Sequence, residues 1–242
     1  FSYKQSSLNF GVDVPFDLTH GKWIRFLQPS INYNITIFNP DQKAHESFPK
    51  GILQYANASI YFHQIIKKSE QDLLPNWGFI TSINAATSLP GVKSYGSTWS
   101  VIQRIYFPGL MPNHGLKTYL AFQNKSRADY SFSDQIRLSR GYTSVINNTM
   151  FTISADYLMP IAYPDFNLAN IFYLKRIQTA LFYDQSQLTI PIDNSNTDMI
   201  QNLRSTGMEL ILDTHFLNFI APIQIGGRTS YLLNNQTLKL EL

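Results

Sequence analysis

Apolar and polar residues alternate with a period of two along most of this chain, the mark of strands whose two faces meet unlike surroundings. Leu8, Phe10, Val12, Val14 and Phe16 fall on one face, Asn9, Gly11, Asp13 and Asp17 on the other. Within 23–38, Ile31, Tyr33, Ile35 and Ile37 oppose Asn32, Asn34 and Thr36. A strand over 52–66 has mixed faces, and shorter alternating runs cover 77–86, 98–107 and 116–123. Further on, Phe151, Ile153, Ala155, Tyr157 and Met159 oppose Thr152, Ser154 and Asp156. Ile177, Thr179, Leu181 and Tyr183 then oppose Gln178, Ala180, Phe182 and Asp184. Runs at 207–216, 219–228 and 237–242 complete the pattern, with no amphipathic helix among them. About eleven antiparallel strands are expected.

Between 123 and 151 the alternation lapses. Ile136-Arg137-Leu138-Ser139-Arg140-Gly141-Tyr142 reads as a loop tip, because glycine admits backbone angles other residues avoid and arginine carries five donors in a fixed fork. The polar faces of the strands carry charges in mid-strand, at Asp13, Asp156, Asp184, Glu209, Asp213 and Arg228. Such groups are costly in a dry core and cheap against water. With apolar side chains on the other face, the pattern suits strands that cross a bilayer around a wet lumen. A soluble antiparallel sheet with its charges in solvent is the alternative.

Composition narrows the choice. Charged residues make up 14% of the 242, well below the roughly 25% of ordinary soluble domains. Hydrophobic residues reach 44% and mean hydropathy is only −0.15, as alternation requires. A formal net charge of +3 without a basic run gives no reason to expect nucleic acid. With no cysteine, thiolate metal sites and cysteine nucleophiles are excluded. The histidines (His20, His45, His63, His114, His215) are scattered without metal-ligand spacing, and no nucleophile or phosphate-loop motif occurs. Asp213 and His215 share a strand face but lack a serine setting. Neither enzymatic activity nor a cofactor or metal is expected.

The order of motifs resembles the C-terminal part of the bacterial surface antigen superfamily, the outer-membrane β-barrels of the assembly-insertase and two-partner-secretion class. Arg140-Gly141-Tyr142 is similar to the Arg-Gly-aromatic tip of that family's long outer loop. Asp156-Tyr157-Leu158-Met159-Pro160 is similar to the following strand, with Leu158 where arginine is common. Ala180-Leu181-Phe182-Tyr183-Asp184 is similar to the next, whose inward aspartate grips the loop arginine. Ser205–Leu210 followed by Pro222-Ile223-Gln224-Ile225 resembles the last hairpin, with Glu209 in place of a glycine. Residues 235–242, ending on Leu240 and Leu242, resemble the terminal assembly signal.

The resemblance implies an all-β fold, a transmembrane antiparallel up-and-down β-barrel. The 11 or so strands of this chain would be the C-terminal part of a barrel of about 16. Residues 1–242 would be one barrel domain lacking its N-terminal strands, with 128–147 as the long outer loop folded into the lumen. Arg140, Gly141, Tyr142 and Asp184 would form a latch for that loop, Tyr142 packing beside the ion pair. Asp156, Glu209 and Arg228 would extend the network. The function implied is insertion or secretion of proteins at the bacterial outer membrane, with membrane lipid and polypeptide clients, or other outer-membrane or periplasmic proteins, as partners. An outer-membrane pore, an anchor for an N-terminal domain, and a soluble β-sandwich binding domain are the alternatives.

Overall fold

The computed structural model describes residues 3–40, 51–89, 96–126, 132–168, 171–191, 198–216 and 223–241. These residues form a 13-stranded antiparallel sheet in which each long strand lies beside the one before it. The strands are β1 (Tyr3–Asp13), β2 (Phe16–Asp17), β3 (Trp23–Pro40), β4 (Gly51–Ile66), β5 (Gly78–Ser88), β6 (Ser97–Pro108) and β7 (Gly115–Lys125). After the long loop come β8 (Thr149–Ala162), β9 (Phe166–Leu168), β10 (Phe172–Pro191), β11 (Asp198–Phe216), β12 (Ile223–Leu232) and β13 (Thr237–Glu241). Short β2 and β9 only extend the ladders of β3 and β10, so eleven strands carry the sheet. That agrees with the alternation in sequence.

The sheet is open. Among the described residues β1 pairs only with β3 and β13 only with β12, and β13 covers only Arg228–Leu232 of its neighbour. Closure into a barrel is therefore not part of this architecture as it stands. Nor do the connections sort by length between the two ends. The loop end carries both 126–148 and the tight 233–236 turn, while the opposite end carries the long 67–77 segment.

Two strands run further than alternation suggests. β10 and β11 continue together from Asp184↔Ser205 to Pro191↔Asp198. Gln185, Ser186 and Gln187 face Arg204, Leu203 and Asn202 there, so polar side chains fall on both faces and the period-two signal fades. Phe219, Pro222 and Leu242, together with 128–131, lie outside the described residues.

Cross-strand register gathers each face into continuous rows. Ile60, Ile83, Val101, Phe122 and Phe151 stand opposite one another across β4 to β8 on one face. Trp99, Leu120, Ile153, Leu181, Met208, Leu210 and Leu240 occupy the same face, and all are exposed. The other, inner face is small and polar where the loop crosses it: Thr152, Ser154, Ser186, Ser205 and Ser230 are wholly or almost wholly buried. Short side chains leave a trough in which the loop backbone approaches the sheet. Ile136 fills its middle, packed with Ile102, Tyr119, Met150, Leu188 and Leu203, with Leu138 and Tyr142 at the margin.

Candidate functional site

Residues 132–148 cross the inner face from β7 to β12, held at three successive points. At the entry, Asp134 receives hydrogen bonds from Lys125 Nζ (2.7 Å), Gln123 Nε2 (2.8 Å) and Ser144 Oγ (2.8 Å). Gln123 is fully buried and its Oε1 also accepts the Gln135 N–H. Next, the Ser139 N–H and hydroxyl both donate to Ser186 Oγ, at 2.9 and 2.8 Å. Arg140 is the third point.

The Arg140 guanidinium is surrounded. Nε and Nη2 form a fork on the two oxygens of Asp184 at 2.7 and 2.8 Å, and the Arg140 backbone N–H adds a third bond to that carboxylate at 3.0 Å. Nη1 donates to Glu209 at 3.0 Å, and Nη2 also donates to Asp156. The guanidinium carbon lies 3.7 Å from the centroid of the Phe182 ring, so the face of the ion rests on an aromatic while its edges meet carboxylates. Register explains why these groups converge. Asp156, Phe182 and Gly207 are direct cross-strand partners on β8, β10 and β11, and Ser154, Asp184 and Ser205 form the row beside them.

Around this centre, Lys117 pairs with Asp156 at 3.0 Å, and Arg228 bridges Glu209 at 2.7 Å to Glu241 at 3.0 Å. Asp156 and Asp184 have 2% and 1% of their side chains exposed, and Arg140 has 10%. Burial alone would favour a neutral guanidine, but the hydrogen bonds to Asp184 and the charges of Asp156 and Asp184 hold Arg140 protonated. At this depth desolvation consumes most of the Coulombic gain, so the cluster fixes position more than it adds stability.

Gly141 and Tyr142 act beside that centre. Gly141 has φ = +84°, a left-handed backbone that strains any other residue, and a Cβ there would sit 2.7 Å from Leu232 Cδ2, so that leucine would have to turn aside. The Tyr142 hydroxyl donates to Arg204 O at 3.0 Å and lies 3.2 Å from Asn234 Oδ1, tying the loop to the β11–β13 end of the sheet. Leu240 is exposed on the outer face, opposite to its neighbour Glu241, which pairs with Arg228. Asp213 is engaged by Arg176 (Nη2 at 2.6 Å) and Gln224 (2.8 Å). Arg176 reaches that side by ordinary alternation with Gln178 and Phe182, and stands directly opposite Asp213 across β10 and β11.

The structure thus brings Arg140, Asp184, Asp156, Glu209 and Arg228 together. Sequence reasoning missed Lys117, Arg137, Phe182 and Asp134 as members of the site. Only strand register, which opposes Lys117 to Asp156, could have revealed the first. No known family model and no curated protein matches this chain.

Asp134 gives the entry point a pH dependence. Burial would raise its carboxyl, but hydrogen bonds from Lys125, Ser144 and Gln123 more than offset that and hold it below the usual 3.8. A depressed folded value means the carboxylate contributes its full stability above the ordinary aspartate range and loses it as pH falls through the lower value. Asp134→Asn should therefore lower the melting temperature by a constant amount between about pH 7 and pH 5, with the gap to wild type closing below about pH 4. An equal gap at about pH 2.5 would show that the charge is not what holds the loop entry.

Proposed function

We propose that this chain forms wall of an outer-membrane β-barrel of the polypeptide insertase and translocase class, acting in insertion or secretion of proteins at the bacterial outer membrane. The observation that carries this reading is the inversion of the sheet, whose uncovered face is apolar while its covered face holds ions. In water, a row such as Ile60 to Phe151 would leave a broad apolar surface wet, at a large hydrophobic cost. In a bilayer the same row meets hydrocarbon, and the ladders satisfy the strand amides as that medium demands. A soluble sandwich would instead seal the apolar faces together.

Residues 132–148 then lie in the lumen, with Arg140 on Asp184 as the latch that seats them. A lumen occupied in this way suits work on polypeptides at the barrel wall better than passage of small solutes. The free edges of β1 and β13 require partner strands in lipid, from the same polypeptide or another.

The test uses native protein, extracted from membranes and reconstituted in vesicles whose acyl chains are brominated. Trp99 on the outer face should be quenched strongly by the lipid and weakly by aqueous acrylamide. An unfolded β-barrel polypeptide added outside should become protease-resistant severalfold faster than with empty vesicles. Quenching without faster client folding would favour an anchor or pore. Absence of lipid quenching would end the membrane reading.

A further inference from the structure

Beside the Arg140 cluster, on the inner face, lies a cavity of about 260 Å³ lined by Arg104 and Tyr106 of β6, Lys117 and Tyr119 of β7, and Arg137 of the loop. Register builds it: Arg104 stands opposite Tyr119 and Tyr106 opposite Lys117, so two alternating strands produce a square of two cations and two phenols. Arg137 comes from the loop side. Its guanidinium lies 4.3 Å from the Tyr119 ring centroid, that of Arg104 lies 5.9 Å away, and the Tyr119 hydroxyl accepts the Arg137 backbone N–H at 3.2 Å.

Charge in this cavity is not balanced by protein. Arg104 pairs with no carboxylate among the described residues, whereas Arg140, Lys117 and Arg228 meet four carboxylates, Asp156, Asp184, Glu209 and Glu241. The nearest anion is Asp156, 3.7 Å from Arg137 Nη2 and already engaged by Lys117 and Arg140. Nε and Nη2 lie on the buried side of an Arg137 side chain that is 36% exposed overall, and neither has a hydrogen-bond partner among the described residues. Buried N–H groups on a cation without an acceptor are costly, and an anionic acceptor removes that cost.

We infer that this cavity is a binding site for a dianionic phosphate group. Three cations facing one shared carboxylate leave an excess of positive charge, which a dianion matches and a single carboxylate does not. The guanidinium groups of Arg104 and Arg137 each present a planar fork suited to two oxygens of one phosphate, Lys117 adds a point charge, and the Tyr106 hydroxyl can donate. The volume exceeds what one phosphate fills, so a monoester also enters. This site rests on inner-face geometry alone and does not depend on the sheet lying in lipid.

The experiment is calorimetric titration of the native detergent-extracted protein with inorganic phosphate at constant ionic strength, with chloride as the reference anion and glycerol phosphate as a second ligand. Saturable phosphate binding is expected, weakened about tenfold or more in Arg104→Gln, which lies outside the Arg140 contacts and should leave heat-modifiable gel mobility unchanged. Glycerol phosphate binding as tightly as phosphate would identify a monoester as the occupant, and its exclusion would identify free phosphate. Phosphate heats no different from chloride, or an Arg104→Gln variant of normal mobility that binds as wild type does, would overturn the assignment.

Discussion

Arg140→Ala is expected to release residues 132–148 from the inner face and to lower stability by about 3–5 kcal/mol, the usual cost of removing one member of a buried ion cluster. The loss falls on Asp184. Lys117 still neutralises Asp156 and Arg228 still neutralises Glu209, but Asp184 is 1% exposed and has no other cation within ion-pair distance among the described residues. It must take up a proton, draw in water or push the loop away. Arg140→Lys should recover little, because an ammonium cannot fork across Asp184 while also reaching Glu209 and lying flat on Phe182. Arg140→Met combined with Asp184→Asn should recover more than either lysine or alanine, since it removes the stranded charge along with its partner. Trypsin cleavage within the loop, followed with the unfolding midpoint, reads both effects. Unchanged cleavage and midpoint in Arg140→Ala would mean that the contacts at Asp134 and Ser139 seat the loop without it.

The membership of the site was legible in the sequence only where a motif or an alternation break marked it. Arg140 and Gly141 stand out because a charged residue and a glycine interrupt an alternating chain, and Asp184, Asp156 and Glu209 because a charge in mid-strand is unusual. Phe182 did not stand out, although it lies on the same face as Asp184, because an aromatic in a strand is ordinary until an ion rests on it. Lys117 and Arg104 were equally silent. Each is an unremarkable cation in its own strand, and acquires meaning only through the neighbour that register places opposite, Asp156 for one and Tyr119 for the other.

The fold divides in the same way. Strand number and face were readable because the side-chain period of a strand is two wherever the two faces differ. The far halves of β10 and β11 were not, because the faces exchange character there: Gln185, Gln187 and Asn202 make the outer face polar, while Leu188 and Leu203 lie under the loop on the inner face. Tyr142 shows a third kind of limit. Its position in the motif suggested packing against the ion pair, but hydroxyl direction depends on where the 233–236 turn offers Asn234, which local sequence cannot specify.

Gly207→Ala is the second substitution expected to be severe, at the upper end of the range of about 1–3 kcal/mol for overpacking. A Cβ at this position would lie 1.9 Å from the backbone oxygen of Thr229 and 2.7 Å from Phe182 Cζ. Rotating a side chain can relieve the second overlap but not the first, so β12 must shift against β11. That shift disturbs the Glu209–Arg228 and Arg228–Glu241 pairs at the next register position. The Phe182 ring, pressed from below, would push on the guanidinium stacked 3.7 Å away and loosen Arg140 from Asp184. Two overlaps with different remedies separate the contributions. Phe182→Leu in the Gly207→Ala background should restore part of the unfolding midpoint by clearing the ring, while leaving the β11–β12 ladder strained. Phe182→Leu alone should cost stability, because it removes the platform under Arg140. If Gly207→Ala unfolds at the wild-type midpoint, the sheet yields freely at this row, and the glycine is not what lets the ring, the arginine and β12 share the space.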